Sequence, residues 1–370
     1  MSKKILLTAT MQSHIAQFHK PLINLLKGHG YEVHVAAKNN LGEKNGLRIE
    51  NADLIFNVPF SRKPQNADNI RAYKLLKKII DENNYDVIHC NTPMGGIITR
   101  EAGKNARKKG TKIFYTAHGF HFYKGAPIKN WMLYYPVEKH FAKYTDKLLT
   151  ITSEDYNLAK KHFATRVYYT HGVGADEAKY NQQFNQNEIK KELGYNADDF
   201  LILCTGELNV NKNQKELIKA MSLIDQTDIK VILAGNGPNA DMLRALIKEY
   251  GLEKRVDMVG YRTDLCRFVK ASDAVVSMSI REGLGLNVVE AMLCGKPVIV
   301  TNNRGHRELV RDGINGLFVE THNSELLMKK IMMLYENSAL RVSMGKKGYE
   351  IAQNFTVKKV IKEIEKIYFE

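Results

Sequence analysis

Four cysteines occur in 370 residues, at Cys90, Cys204, Cys266 and Cys294, each alone in the sequence. Scattered thiols form no disulfide framework, and without a Cys-x-x-Cys or a His/Cys cluster they predict no zinc site; a cytosolic location follows. No run of 18 or more apolar residues exists, which excludes a membrane-spanning helix. No Asp-x-Asp pair is present to hold a divalent cation, so no metal is expected. The start, Met1 to Thr10, is basic with a short apolar run and reads as a first strand, not a signal peptide.

Positive charge is in excess. The net charge is +15, and residues 1–172 carry 27 Lys and Arg against 13 Asp and Glu, a net +14. A field of that sign in one half of a chain favours an anionic partner: a phospholipid surface, a lipid diphosphate or nucleic acid. No nucleic-acid reading motif accompanies it, so nucleic acid is not the expected partner. With 44% hydrophobic and 26% charged residues the chain is globular, and its length suits two domains.

Short apolar strands alternate with helical patterns in both halves, predicting an α/β fold with parallel sheets. The first half shows strands at Lys4–Ala9, Glu32–Ala36, Val87–Cys90, Lys112–Thr116 and Lys147–Ile151, with helices at Ala16–Lys27 and Ile70–Glu82. The second half restarts with Phe200–Thr205, Lys230–Ala234, Val256–Val259, Ala274–Met278 and Pro297–Thr301, with a helix at Asp241–Tyr250. Two Rossmann-like units in tandem result. The boundary falls near residue 172, giving domains at 1–172 and 173–355. The polar stretch 172–199 is the linker and the start of the second domain, and a last amphipathic helix begins near Thr356.

Glu282-Gly283-Leu284-Gly285-Leu286-Asn287-Val288-Val289-Glu290 carries most of the chemistry. A glycine-rich turn opens an apolar helix, presenting free N–H groups where an anion such as a diphosphate is favoured. One carboxylate precedes that anion site and the other lies about two turns into the helix. Each can accept hydrogen bonds from hydroxyls, so the pattern fits a sugar nucleotide, with hexose on one side and ribose on the other.

This segment resembles the glutamate–seven–glutamate motif of retaining glycosyltransferases, in particular family 4 of the GT-B fold. The resemblance extends over nearly the whole chain. It implies two Rossmann-like domains facing across a cleft, with the C-terminal helix, about 356–370, crossing back to the first. It implies that Glu282 contacts the donor sugar, Glu290 the ribose, and the amides of Gly283, Leu284, Gly285 and Leu286 the diphosphate. His118, in Thr116-Ala117-His118-Gly119-Phe120-His121-Phe122, matches the family's His-Gly pair near the reacting carbon. In Gly206-Glu207-Leu208-Asn209-Val210-Asn211-Lys212, Lys212 matches the family's phosphate-clamping lysine, and Glu207 stands where the family has arginine. Arg262 or Arg281 could compensate. Backbone at Tyr261 and Arg262 matches the base-binding loop, and the segment Thr301–Glu308 would close the site.

For the acceptor, Arg62 and Lys63 could meet a diphosphate, and His121 could orient the loop or pack. The segment Lys124–Lys147 interleaves Trp131, Tyr134, Tyr135, Phe141 and Tyr144 with five lysines, as an interfacial helix does, although helical aromatics are also often core.

The resemblance implies a metal-independent, retaining hexosyltransferase, the catalytic groups being His118 and Glu282. The expected donor is a UDP-sugar bearing an N-acetylated or deoxy hexose, and no cofactor is expected. The expected acceptor is a polyprenyl-diphosphate-linked sugar, at the anionic cytoplasmic face of the cell membrane, in bacterial capsule, exopolysaccharide or O-antigen assembly. Two other readings stay open from the residues: a UDP-sugar epimerase on the same fold, and a non-catalytic nucleotide-sugar-binding partner.

Overall fold

The computed structural model describes residues 2–43, 46–180 and 185–370. The chain divides into two compact units, Met1–Val173 with Val357–Glu370, and Gly174–Thr356. Within the linker expected at 172–199, Asn181, Gln182, Gln183 and Phe184 lie outside the described residues. Short helices occupy Glu177–Tyr180 and Gln186–Glu192 on either side.

The first unit holds β1 (Lys4–Met11), β2 (Glu32–Lys38), β3 (Leu54–Asn57), β4 (Val87–Asn91), β5 (Lys112–Ala117), β6 (Lys147–Thr150) and β7 (Arg166–Tyr169). They form one parallel sheet in the order β3-β2-β1-β4-β5-β6-β7. The second unit holds β8 (Phe200–Thr205), β9 (Ile229–Ala234), β10 (Val256–Gly260), β11 (Ala274–Ser277), β12 (Val298–Thr301) and β13 (Gly316–Val319), parallel in the order β10-β9-β8-β11-β12-β13. Each sheet reverses its order beside its first strand, β1 or β8, as doubly wound folds do.

Central strands are apolar on both faces because helices cover both. Ile5, Leu6, Leu7, Val33 and Val35 are fully buried, each side chain stabilising the fold by roughly 1.5–3 kcal/mol. The strands that hydropathy missed, β3, β7 and β13, lie at sheet edges and have four residues each. Leu54 and Ile55 of β3 are exposed. A short edge strand has one neighbour and less to bury, so its pattern is weak.

The helix expected at Ala16–Lys27 is two helices, Gln12–Phe18 and Lys20–Gly28, jointed at His19. Pro21 explains the break. Its ring excludes a continuous helix, and it is tolerated in the first turn of the second one, where no N–H is needed. The joint leaves the His19 side chain buried instead of on a continuous helical face.

The last helix, Val357–Phe369, belongs to the first unit. Val360 and Ile367 are buried, and Ile364 and Tyr368 pack against the cluster containing Ile5, Leu7, Leu22 and Leu26. The Tyr368 hydroxyl is hydrogen-bonded to His89 Nδ1, and Glu363 Oε1 lies 2.8 Å from His171 Nδ1.

Candidate functional site

In the second unit the Glu282 loop leaves β11 and enters the helix Leu286–Leu293. Gly285 caps that helix with φ 93°, a conformation that only glycine adopts without strain. Among the described residues, the amides of Gly283, Leu284, Gly285 and Leu286 donate to no protein acceptor. They are free donors at a helix N-terminus, where the dipole favours negative charge.

Lys212 arrives from the loop after β8. Its backbone N–H donates to Asn209 Oδ1 at 2.9 Å, which curls the loop. Its Nζ donates to Glu282 Oε1 at 2.5 Å, with both side chains largely buried. The loops after β8 and β9 touch backbone to backbone. A Cβ on Gly235 would stand 2.0 Å from the Gly206 carbonyl oxygen, and one on Gly206 would stand 3.0 Å from Lys212 Cε. The lysine therefore lies along a surface that only glycines leave open.

The two motif carboxylates are tuned in opposite directions. Burial by itself would raise Glu282, but the Lys212 ammonium and hydrogen bonds from Lys212 and Ser279 outweigh it and hold the carboxyl below its usual range. For Glu290 burial wins and the pKa rises, although the Tyr180 hydroxyl and the Lys179 charge oppose it.

Several buried polar atoms here have no protein partner among the described residues: both side-chain polar atoms of Asn213, Nδ2 of Asn287 and Nε2 of His306. His306 Nδ1–H donates to the Thr301 carbonyl at 2.8 Å, leaving Nε2 as the acceptor, and a Cβ on Gly285 would lie 3.4 Å from that nitrogen. Burial lowers its pKa to about 4, so the ring is neutral. Buried polar groups are normally paired, so these unpaired atoms on or next to the motif loops are candidates for ligand contact. Asn213, Asn287 and His306 were not singled out by motif reasoning; a polar residue flanking each motif loop was their only trace.

Glu207, the departure from the family pattern, is exposed, and its Oε2 accepts from Asn209 Nδ2 at 2.9 Å. Arg262 makes a bidentate pair with Asp264, both contacts 2.8 Å, and lies 5.0 Å over the Phe268 ring. In this structure the guanidinium is thus paired within its own loop. Arg281 and Tyr261 are exposed.

In the first unit, the polar side chains expected to meet substrate lie at the C-terminal ends of strands, where α/β sheets place ligand contacts. His118 follows β5, and its Nε2 lies 3.0 Å from Asn91 Oδ1. His19 Nε2 reaches the same oxygen at 3.1 Å. Asn91 Nδ2 donates to the Thr8 carbonyl at 3.3 Å, which orients Oδ1 toward both rings. Burial lowers the His118 pKa to about 3 and lowers those of His14 and His19. Arg62 and Lys63 are exposed, and Arg62 is close enough for its charge to depress His14 further. His121 stacks on Tyr134 at 4.6 Å between ring centroids.

The aromatic segment forms the helix Ile128–Ala142. Trp131 and Tyr135 turn inward onto Phe122, and Tyr135 also packs on Phe163. The exposed face is aliphatic: Ile128 is 78% exposed, Met132 72% and Leu133 63%. The expectation that aromatics meet headgroups is corrected for Trp131 and Tyr135, which serve the core. Among the described residues no helix is long and apolar enough to cross a membrane.

Comparison with known proteins agrees with this geometry. Residues 185–351 match the family described as Glycosyl transferases group 1, and residues 4–153 match Glycosyl transferase 4-like. The chain is 39% identical over 374 residues to EpsD of Bacillus subtilis (strain 168), whose name marks it as a glycosyltransferase, covering 100% of this chain and 97% of that protein. It is 26% identical over 310 residues to the Escherichia coli UDP-Gal:alpha-D-GlcNAc-diphosphoundecaprenol alpha-1,3-galactosyltransferase, covering 81% and 78%. Among solved structures, Anabaena HepE in complex with UDP and glucose superposes with a TM-score of 0.80 at 23% identity, covering 99% of each chain. Two parallel Rossmann-like units, a helix returning to the first of them, and full-length similarity to EpsD lead to one conclusion: the chain belongs to the GT-B glycosyltransferases of the GT4 type.

Proposed function

We propose that the protein is a retaining, metal-independent transferase that moves a hexose, N-acetylated or deoxy, from a UDP-sugar to a polyprenyl-diphosphate-linked sugar. The proposed setting is bacterial capsule or exopolysaccharide assembly at the inner face of the cell membrane. The observation that carries the reading is the Lys212–Glu282 pair at the mouth of the helix Leu286–Leu293, beside four free amides. A cation and a helix N-terminus can together neutralise a leaving diphosphate. The UDP in HepE and the diphosphoundecaprenol substrate in the name of the Escherichia coli relative support the choice of donor and acceptor.

In the proposed reaction the bond from the sugar's anomeric carbon to the UDP oxygen breaks first, through an oxocarbenium-like state. The acceptor hydroxyl attacks from the same face, and its proton passes to the departing phosphate. Lys212 keeps two N–H donors for phosphate while the third holds Glu282 in place to accept from sugar hydroxyls. Glu290 accepts from the ribose. His118, neutral at physiological pH, offers a hydrogen bond to the sugar without adding charge. The aliphatic face of Ile128–Ala142, flanked by Lys124, Lys129, Lys139 and Lys143, suits the surface of an anionic bilayer.

The test is UDP release from a panel of UDP-sugars, with and without membrane extract containing lipid-linked sugars, for wild type and Glu282→Ala. Acceptor-dependent release that the substitution abolishes identifies a transferase and its donor. UDP binding without release from any donor, with competent acceptor present, would instead indicate a nucleotide-sugar-binding partner. Conversion of the donor without acceptor would indicate an epimerase.

A further inference from the structure

Three histidines that are remote in sequence meet in the first unit. His14 lies in Gln12–Phe18, His19 at the joint that Pro21 enforces, and His118 after β5. One ring nitrogen of each lies within 4.8 Å of the others. The ring centroids are 4.8 Å apart for His14 and His118, 5.2 Å for His14 and His19, and 6.3 Å for His19 and His118. Imidazole nitrogens bound tetrahedrally to zinc stand about 3.3 Å from one another, with ring centroids about 5 Å apart, given metal–nitrogen bonds of about 2.0–2.1 Å. The nitrogens stand up to about 1.5 Å farther apart than ligation requires, so binding a cation would have to draw the three rings together.

Their protonation pattern fits ligation. Asn91 Oδ1 can only accept, and it lies within hydrogen-bond distance of Nε2 of both His19 and His118, so both rings favour the Nε2–H tautomer. His19 Nδ1 and His14 Nε2 are buried with no hydrogen-bond partner among the described residues. An outer-shell amide fixing the tautomers of ligating histidines is a usual feature of metal sites.

We propose that His14, His19 and His118 form a binding site for a divalent transition cation, with Asn91 as its orienting outer shell. Three nitrogen donors without a carboxylate select zinc, cobalt, nickel or copper over magnesium or calcium. The nearby Arg62 charge favours an anionic ligand in the remaining coordination position. All three histidines belong to the first unit. The consequence of cation binding rests on the transferase reading: a cation on His118 withdraws that imidazole from the sugar, so zinc inhibits transfer and a chelator restores it.

The experiment titrates the chelator-treated full-length protein with Co2+, followed by visible absorption, and then displaces it with Zn2+. One equivalent with the intense bands of four-coordinate cobalt is expected. His14→Gln and His19→Gln should weaken binding at least ten-fold, with circular dichroism and thermal midpoint as fold controls. X-ray absorption on the zinc-loaded wild type should show histidine scattering from three imidazoles, a readout that needs no variant. No uptake, an octahedral cobalt spectrum, or equal uptake by well-folded variants would overturn the site. UDP binding by the same samples separates the two claims. UDP binding without cobalt binding defeats only the metal site, whereas cobalt binding without UDP binding or transfer defeats only the transferase reading.

Discussion

Lys212 and Glu282 lie 70 positions apart in the chain and meet at 2.5 Å beside the free amides of a helix N-terminus. Lysine needs the carboxylate to stay ordered while no phosphate is bound, and the carboxylate needs the lysine to remain ionised while buried. Replacing either with a neutral residue, Lys212→Met or Glu282→Gln, should lower kcat/KM by about 10²–10³, the usual cost of losing one charge-stabilising contact. The double variant should lose much less than the product of the two, because each single change already breaks the pair. Steady-state kinetics on the four proteins measures this.

Tyr180 hydrogen-bonds to Glu290 and limits the rise in its pKa caused by burial. Tyr180→Phe removes that donor, so the Glu290 pKa should rise further. On the proposed reading, in which the Glu290 carboxylate accepts from ribose, the donor KM should rise as pH falls through the Glu290 pKa. The rise should begin at higher pH in the variant. For stability the sign is opposite: a raised folded pKa contributes stability present below the unfolded value of about 4.3 and lost as pH rises through the folded one. Donor KM and thermal midpoint, each measured from about pH 5 to 8, check both statements.

Thiol reactivity should be uneven. A hydrogen bond from Cys294 brings the Cys266 thiol down to about 7, while burial pushes Cys90 and Cys204 up to about 12. Reactivity follows the thiolate fraction and access. Iodoacetamide at neutral pH should label Cys266 first and leave Cys90 and Cys204 unmodified until unfolding, as read by peptide mass spectrometry.

The exposed aliphatic face of Ile128–Ala142 supplies a membrane test. Replacing Ile128, Met132 and Leu133 with serine should weaken sedimentation with phosphatidylglycerol vesicles several-fold, since each buried aliphatic group adds to interfacial affinity. The thermal midpoint should change little, because none of the three is part of the core. By contrast, Ile367→Ala in the returning helix should destabilise the protein by about 2–4 kcal/mol, measurable by denaturant titration.

Much of this architecture was legible in the sequence, for specific physical reasons. Central strands announce themselves by continuous apolar runs, and β1, β8 and β11 were found that way. β3, β7 and β13 were not, because a four-residue edge strand is too short for an apolar run or an alternation to stand out. Glu282, Glu290 and Lys212 stand out as site candidates because they lie in short motifs that resemble the family's, and the fold brings Glu282 and Lys212 together. His14, His19 and His118 could not be grouped. Their proximity depends on a helix break at Pro21 and on strand order, neither of which a local pattern encodes. Nor could the sequence tell that Glu207 would turn to Asn209, or that Arg262 would be occupied by Asp264.

The contact between Gly206 and Gly235 limits how the proposed donor site could be re-engineered. A methyl group at either position collides with the opposing main chain or displaces Lys212, so these loops cannot change specificity by enlarging side chains at their point of contact. Variation is confined to outward positions such as Glu207, Val210 and Tyr261, all exposed. A mutagenesis library aimed at a new sugar would be built on those rims and would leave the glycine seam untouched.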